Sequence, residues 1–206
     1  HWQIALLTKH LVMMKARQYN KKILNEVTTC NVYAIQDSND VNRDQLKYFG
    51  TGMSDIEKNT AKLQIEGLLD VFNDAKEYGS ILNVDNYDWK LIRQFVQNVD
   101  ASGQMSVVSI WIELTKDLLE ELVNIGEVMA RRYDVVVTNP PYMGSSGMSE
   151  KLLAFIKENY PEYKNDLYSC FILKAFNLMT DYGYAGFMTS YTWMFLTTFT
   201  DTRKMI

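Results

Sequence analysis

Three consecutive valines, Val135 to Val137, run through Thr138 and Asn139 into Pro140-Pro141, and this junction limits the possible folds more than any other stretch of the chain. β-Branched side chains are stiff at χ1 and favour extended backbone. An unbroken run of them, with no polar alternation, predicts a strand covered on both faces, as in a parallel sheet. Pro140 and Pro141 are two of only three prolines in the chain. They lack backbone donors and fix φ, so the strand must stop there. A buried strand ending abruptly in Asn139-Pro140-Pro141-Tyr142 is therefore expected, followed by the small loop Gly144-Ser145-Ser146-Gly147.

Parallel strands need crossover segments, and the pattern around this strand supplies them. Apolar positions at Ile4, Leu7, Leu11 and Met14 have helical spacing. "TTCNVYAI" (28–35) reads as a short strand. Ser54 followed by Glu57 is a capping box that opens a helix through Phe72. Residues 87–98 and 107–129 are expected to be helical, the second long and amphipathic. "MSEKLLAFIKENY" is expected to be a helix that stops before Pro161. "NDLYSCFILKAFNLMT" is apolar nearly all round and predicts a deeply buried helix. Asp181-Tyr182-Gly183 reads as a turn, with Gly183 as a helix C′ residue, and "YAGFMTS" as a third strand. Strands separated by helices argue for an α/β fold. The expected organisation is a partial core at residues 1–37, a mostly helical insertion at 38–130, and a half carrying the proline motif at 131–206. Three strands make a small sheet, and both ends of the chain look cut, so the sequence reads as a piece of a larger protein.

Composition removes several classes of function. The chain has 206 residues, 47% of them hydrophobic, enough for a sizeable core. Its net charge of −4 gives no basic footprint for nucleic acid, which does not exclude a nucleic-acid partner read by a basic surface elsewhere in a larger protein. The only histidines are His1 and His10, which argues against a histidine-based catalytic dyad. No Cys/His cluster has metal-ligand spacing, so no metal is expected. Cys30 and Cys170 are expected to be reduced core thiols. No apolar run reaches membrane-spanning length and no leader is recognisable, so the expected compartment is the cytoplasm.

In open α/β sheets, ligands bind outside the C-terminal ends of the strands, which is where residues 139–142 fall. Asn139 offers a side-chain oxygen acceptor. The prolines hold the backbone rigid and leave carbonyls unpaired, and Tyr142 offers an aromatic face. Two acceptors and a stacking plane, with no strong acid or base, suit a planar amino group on a conjugated ring, such as adenine N6. If the Asn139 oxygen and the Pro140 carbonyl each take one N–H, the nitrogen is drawn towards a tetrahedral form whose lone pair can attack. Four such residues in this order would arise by chance in a chain this long roughly once in a thousand. The structural alternative is a rigid strand-to-loop turn.

"VVVTNPPY" resembles the catalytic motif of N6-adenine DNA methyltransferases. "KNDLYSCFILKAFNLMTDYGYAGFMTSYTWMF" resembles the helix–turn–strand that follows that motif in large restriction–modification and BREX phage-resistance enzymes. "LLTKHLVMMKARQYNKKIL" resembles the helix that follows their ribose-binding acidic strand. The BREX type is the nearest in kind, with type IIG enzymes next. The resemblance implies a partial Rossmann-like class I methyltransferase sheet with a helical insertion before the catalytic strand. It implies methyl transfer from S-adenosylmethionine to a flipped adenine in double-stranded DNA, with Asn139, Pro140, Pro141 and Tyr142 catalytic and Tyr142 also stacking on the base. Other defence-system subunits are implied partners, and a dimer through an uncovered sheet edge is a further expectation.

The family's Gly-rich cofactor loop has no counterpart: Gly50 and Gly52 in "YFGTGMSD" follow no convincing strand. The ribose-binding acid and the target-recognition domain are expected outside this sequence. Asp37 is a candidate for bonding the cofactor adenine, or else a turn residue. Trp193 is a candidate for stacking on a flipped base, or else a packing residue. Asp85 and Asp88 read as turn and cap residues, and the Gly144–Gly147 loop as either a DNA-side loop or a linker. Related motifs also serve protein-glutamine and RNA methyltransferases, and a non-catalytic scaffold within a defence complex is the alternative outside enzymology.

Overall fold

The computed structural model describes residues 2–24, 31–99 and 107–206. Cys30 and the first residues of the strand expected at 28–35 lie outside the described residues. The chain divides into two compact units, His1–Gln36 and Asp37–Ile206. In the first, helix α1 (Trp2–Tyr19) is followed by a 3-10 turn at Lys21–Leu24. Residues 31–36 take no strand, which corrects that part of the expectation. An isolated β-rich segment gains little without a neighbouring strand to pack against.

The second unit begins with a 3-10 turn (Arg43–Tyr48) and α2 (Asp55–Val71). The Ser54–Glu57 capping box is formed in both directions. Ahead of it, Gly50 has φ +73°, and a Cβ there would sit 2.7 Å from the Phe95 ring, so this glycine serves a tight turn against α4. Then come α3 (Ala75–Tyr78), α4 (Trp89–Gln97, capped by Asp88) and α5 (Val107–Ala130). Leu46, Phe49, Ile65, Leu69, Ile92, Phe95, Leu119 and Leu122 are buried in this helical part. Arg93 joins α4 to α5 by donating to Asn124 (2.6 Å) and pairing with Glu127. Glu127 also pairs with Arg131, and the two guanidinium partners hold its carboxyl below the usual range.

Strand β1 (Tyr133–Thr138), α6 (Glu150–Asn159), α7 (Leu167–Leu178), β2 (Met179–Phe187) and α8 (Thr200–Met205) complete the unit. A shared core joins α6 and α7 to the preceding helical stretch: Ile81 is buried with Leu152, Ile156, Tyr160, Leu167 and Cys170. The Tyr160 hydroxyl donates to the Ile81 carbonyl, and Lys151 pairs with Asp74 at 2.8 Å. The result is a helix-rich α/β unit whose sheet, among the described residues, is the parallel pair β1–β2.

Two further expectations are corrected. Val135 and Val137 are 61% and 77% exposed, so β1 is covered on one face only. Parallel pairing sets Val135 opposite Tyr184 and Thr138 opposite Phe187. Val136, Thr138, Ala185 and Phe187 therefore share the face that α7 covers, where Phe176 stacks on Phe187. Val135, Val137 and Tyr184 share the other, which no described element covers. Continuous valines prepare a strand for two covered faces but do not supply the second layer. The other correction concerns Gly183. β2 already starts at Met179, and between the pairs Tyr133–Met179 and Val135–Tyr184 the register shifts, looping the expected turn residues out within the strand. Gly183 has no positive φ and is not a helix C′ residue. Its role is close approach: a Cβ would meet the Met179 side chain at 2.4 Å and the Asp134 carbonyl at 3.0 Å.

Candidate active site

Because β1 and β2 are parallel neighbours, the segments leaving their C-terminal ends start side by side. The Met188 amide donates to the Thr138 carbonyl (3.1 Å), one step past the last strand pair. From there Asn139–Tyr142 leaves β1 and Met188–Ser190 leaves β2, with no cis peptide bond at either proline. The Tyr142 hydroxyl donates to the Met188 carbonyl at 2.8 Å, tying the two segments together again.

A second anchor lies under the motif. Asp166 is the N-cap of α7, and one of its carboxylate oxygens accepts from both the Met143 amide (3.1 Å) and the Tyr168 amide (3.2 Å). The Met143 carbonyl accepts from the Leu167 amide (2.9 Å), and Gly144 pairs with Asp166 in an isolated antiparallel bridge. The Tyr142 and Tyr168 rings form a T-shaped pair, with centroids 6.1 Å apart at 82°. A T-shaped pair leaves at least one face of each ring free of the other, and Tyr142 is exposed.

Within the tetrapeptide, Pro140 is buried while Asn139, Pro141 and Tyr142 are exposed. Among the described residues neither the Asn139 carboxamide nor the Pro140 carbonyl has a hydrogen-bond partner. Two free acceptors thus stand at the strand end, beside a phenol ring held at its hydroxyl and packed at right angles to Tyr168. The nearby Asp166 carboxylate is engaged by backbone amides, so the site offers acceptors and an aromatic face rather than a proton-transfer group. Asp166 escaped notice in the sequence. Its signal was an N-cap aspartate directly before an apolar helix.

The remaining candidates lie elsewhere or face inward. Asp37 accepts from the Lys76 amide (2.7 Å) and pairs with the Lys76 ammonium (3.2 Å). The side chain of Trp193 packs against Tyr168, Ile172 and Phe199, and its indole N–H donates to Thr189 (3.2 Å). On the same 3-10 turn, Tyr191 points outward and is exposed. Ser145–Gly147 forms one 3-10 turn. S-Adenosylmethionine finds no matching cradle among the described residues. The Gly50–Gly52 turn packs on Phe95 and leads into a capped helix, and the Asp37 carboxylate is taken by Lys76. No described His/Cys/Asp/Glu group could hold a metal ion, and no described helix is long and apolar enough to cross a membrane.

Comparison with known proteins places the chain in a family. The adenine-specific methyltransferase BrxX of Escherichia coli O9:H4 (strain HS) is 27% identical over 215 residues, covering 95% of this chain and 17% of its own length. The adenine-specific methyltransferase PglX of Lacticaseibacillus casei (strain Zhang) is 29% identical over 208 residues, covering 96% of this chain and 16% of its own length. The chain thus spans about a sixth of these relatives. The family model of the Eco57I restriction-modification methylase matches residues 4–206, and the chain belongs to that family.

Proposed function

We propose that this chain is a fragment, carrying the adenine-side catalytic motif, of a DNA adenine-N6 methyltransferase active in phage defence or restriction–modification, within a longer cytoplasmic protein. The observation that carries this reading is the pair of unpartnered acceptors, Asn139 Oδ1 and the Pro140 carbonyl, beside the Tyr142 ring anchored through its hydroxyl. S-Adenosylmethionine would supply the methyl group. The residues described here do not form its site, so its binding is assigned to other parts of the longer protein. Asp37 remains at most a marginal contact to it, because its carboxylate would first have to leave Lys76.

This chain's own contribution is to the amino group. Adenine N6 is flat because its lone pair is delocalised into the ring. Asn139 Oδ1 and the Pro140 carbonyl each accept one N6 hydrogen, which favours a pyramidal nitrogen and frees the lone pair. As positive charge develops on the nitrogen both bonds strengthen, so they stabilise the transition state more than the ground state. Pro140 and Pro141 keep the acceptors fixed. Tyr142 stacks on the flipped base, and Trp193 supports the wall behind it through Tyr168. The face of β1 bearing Val135 and Val137 is where further layers of a Rossmann-like sheet would pack.

The test uses the full-length protein. Long-read modification sequencing of DNA from cells with and without the gene should reveal N6-methyladenine at one recurrent site. Asn139→Ala should abolish it while DNA binding persists, with turnover down about a hundred- to a thousandfold. Wild-type turnover in that variant would leave residues 139–142 as a turn and nothing more.

A further inference from the structure

At the opposite end of the sheet, where β1 and β2 begin, lies a cavity of about 600 Å³, a size typical of small-molecule sites. Its walls come from the loop after Ile81, from the end of α5 and from α7. β1 has six residues, so at roughly 3.3 Å per residue the cavity is about 20 Å from Asn139 and separate from the site above.

The unusual residue here is Lys174. It is the one charged side chain in the apolar helix α7 and is only 5% exposed. Its ammonium donates to Asn83 Oδ1 at 3.1 Å, a neutral acceptor. An ammonium has three donors, and among the described residues no carboxylate pairs with this one. Burial without a counter-charge is costly, and it lowers the lysine to about 8. The other lining charges do not supply the counter-ion. Glu127 is engaged by Arg93 and Arg131. Arg132 donates to the Met179 carbonyl (3.3 Å) and lies 3.9 Å from Asp181. Asp85 is exposed at the rim, and no described cation pairs with it.

We propose that this cavity binds a small oxyanion-bearing molecule, with its carboxylate or phosphate group seated on Lys174 and the rest of it between Asn86, Trp89 and Asn177. An oxyanion brings what the ammonium lacks: a full negative charge and several acceptor lone pairs at one point. Arg131 and Arg132 at the mouth attract such a molecule, and the amides of Asn83 and Asn177 adapt to its polar atoms. Asp85 sets an upper limit on the charge that can enter.

The test titrates the 206-residue chain at pH 7 and constant ionic strength with inorganic phosphate in one arm and succinate in the other, read by thermal unfolding and calorimetry. A saturable rise in unfolding temperature is expected in at least one arm. Phosphate alone would identify a phosphoryl group, and succinate alone a carboxylate. Lys174→Met should abolish the response, Arg132→Gln weaken it several-fold, and Asp85→Asn strengthen it. Should Lys174→Met fail to fold, the Arg132 and Asp85 variants still decide: binding unchanged in both overturns the proposal. No saturable response in either arm, or a response retained in Lys174→Met, also overturns it. If Asp85→Asn is destabilised and neither anion binds, Asp85 is itself the counter-ion and the proposal fails.

Discussion

The hydroxyl of Tyr142 donates to the carbonyl of Met188 at 2.8 Å, so the loop that ends the first strand is tied to the loop that ends the second. Tyr142→Phe removes this tie and keeps the ring. At an exposed site the lost hydrogen bond is worth about 0.5–1.5 kcal/mol, and methylation by the full-length protein should fall less than tenfold. Tyr142→Ala also removes the stacking surface, worth roughly 1–3 kcal/mol, and DNA affinity and turnover should both drop. Single-turnover methylation across a DNA titration separates the two. Equal effects of Phe and Ala would mean that the hydroxyl, not the ring, matters.

Asp166 holds the backbone on both sides of the motif's exit. Asp166→Ala should cost about 1–2 kcal/mol as a lost cap and should lower turnover more than DNA binding, because Met143 loses its anchor. Asp166→Asn keeps the accepting oxygen and should restore most of both. Urea denaturation of the chain and kinetics of the full-length protein are the two measurements. If the Asn variant is as impaired as the Ala variant, charge rather than acceptor geometry is what counts.

The 206-residue chain should show no micromolar binding of S-adenosylmethionine by calorimetry. Its glycine turn packs on Phe95 and its Asp37 is engaged by Lys76. Heat of binding in that range would require a cofactor pocket built from other residues, and Asp37→Asn would be the first variant to test it.

Lys174 should make stability depend on pH in a sense unusual for a lysine. Burial lowers it from 10.5 to about 8, so between those values the unfolded chain holds a proton that the folded chain has lost. Stability therefore rises with pH through that window. Buried Cys170 acts oppositely: its thiol is pushed up from 9.0 to about 12, so the unfolded chain loses that proton first and stability falls above about pH 9. The two cancel only between about pH 9 and 10.5, so the wild-type profile should rise from about pH 8 to 9, level off, and fall above about 10.5. Lys174→Met exposes the components. In phosphate-free buffer it should be more stable than wild type at pH 7 by up to about 3 kcal/mol, with the advantage gone near pH 10.5. A pH-independent difference between the two proteins would rule out a depressed lysine.

Much of this architecture is legible in the sequence where local chemistry decides it. The Ser54–Glu57 box, the Asp88 cap and the long apolar period of α5 each fix their element without help from the rest of the chain. The abrupt end of β1 at the prolines is of the same kind. Tertiary partners decided the rest. Near residues 31–37 the chain meets no strand, and the next residues bind the turn after α2 instead: the Ser38 amide donates to the Phe72 carbonyl (2.9 Å) and its hydroxyl to the Leu69 carbonyl (2.5 Å). The inward face of Trp193 and the outward face of Tyr191 depend on a 3-10 turn, which has no strong sequence signature. Lys174 was hidden by its surroundings, since one lysine in an apolar helix reads as a residue that reaches solvent.

The looped-out residues of β2 act as slack in the chain. Between Met179 and Tyr184 the strand takes five steps where β1 takes two, and from Tyr184 onwards the strands advance in step to Thr138 and Phe187. A residue inserted at 180–182 lengthens a bulge that already faces solvent, and Asn139 stays level with Met188. A residue inserted at 185–187 has no such outlet. It would turn Phe187 away from α7 and carry Met188 past Tyr142, so tolerance of length change should switch off within a few residues along a single strand.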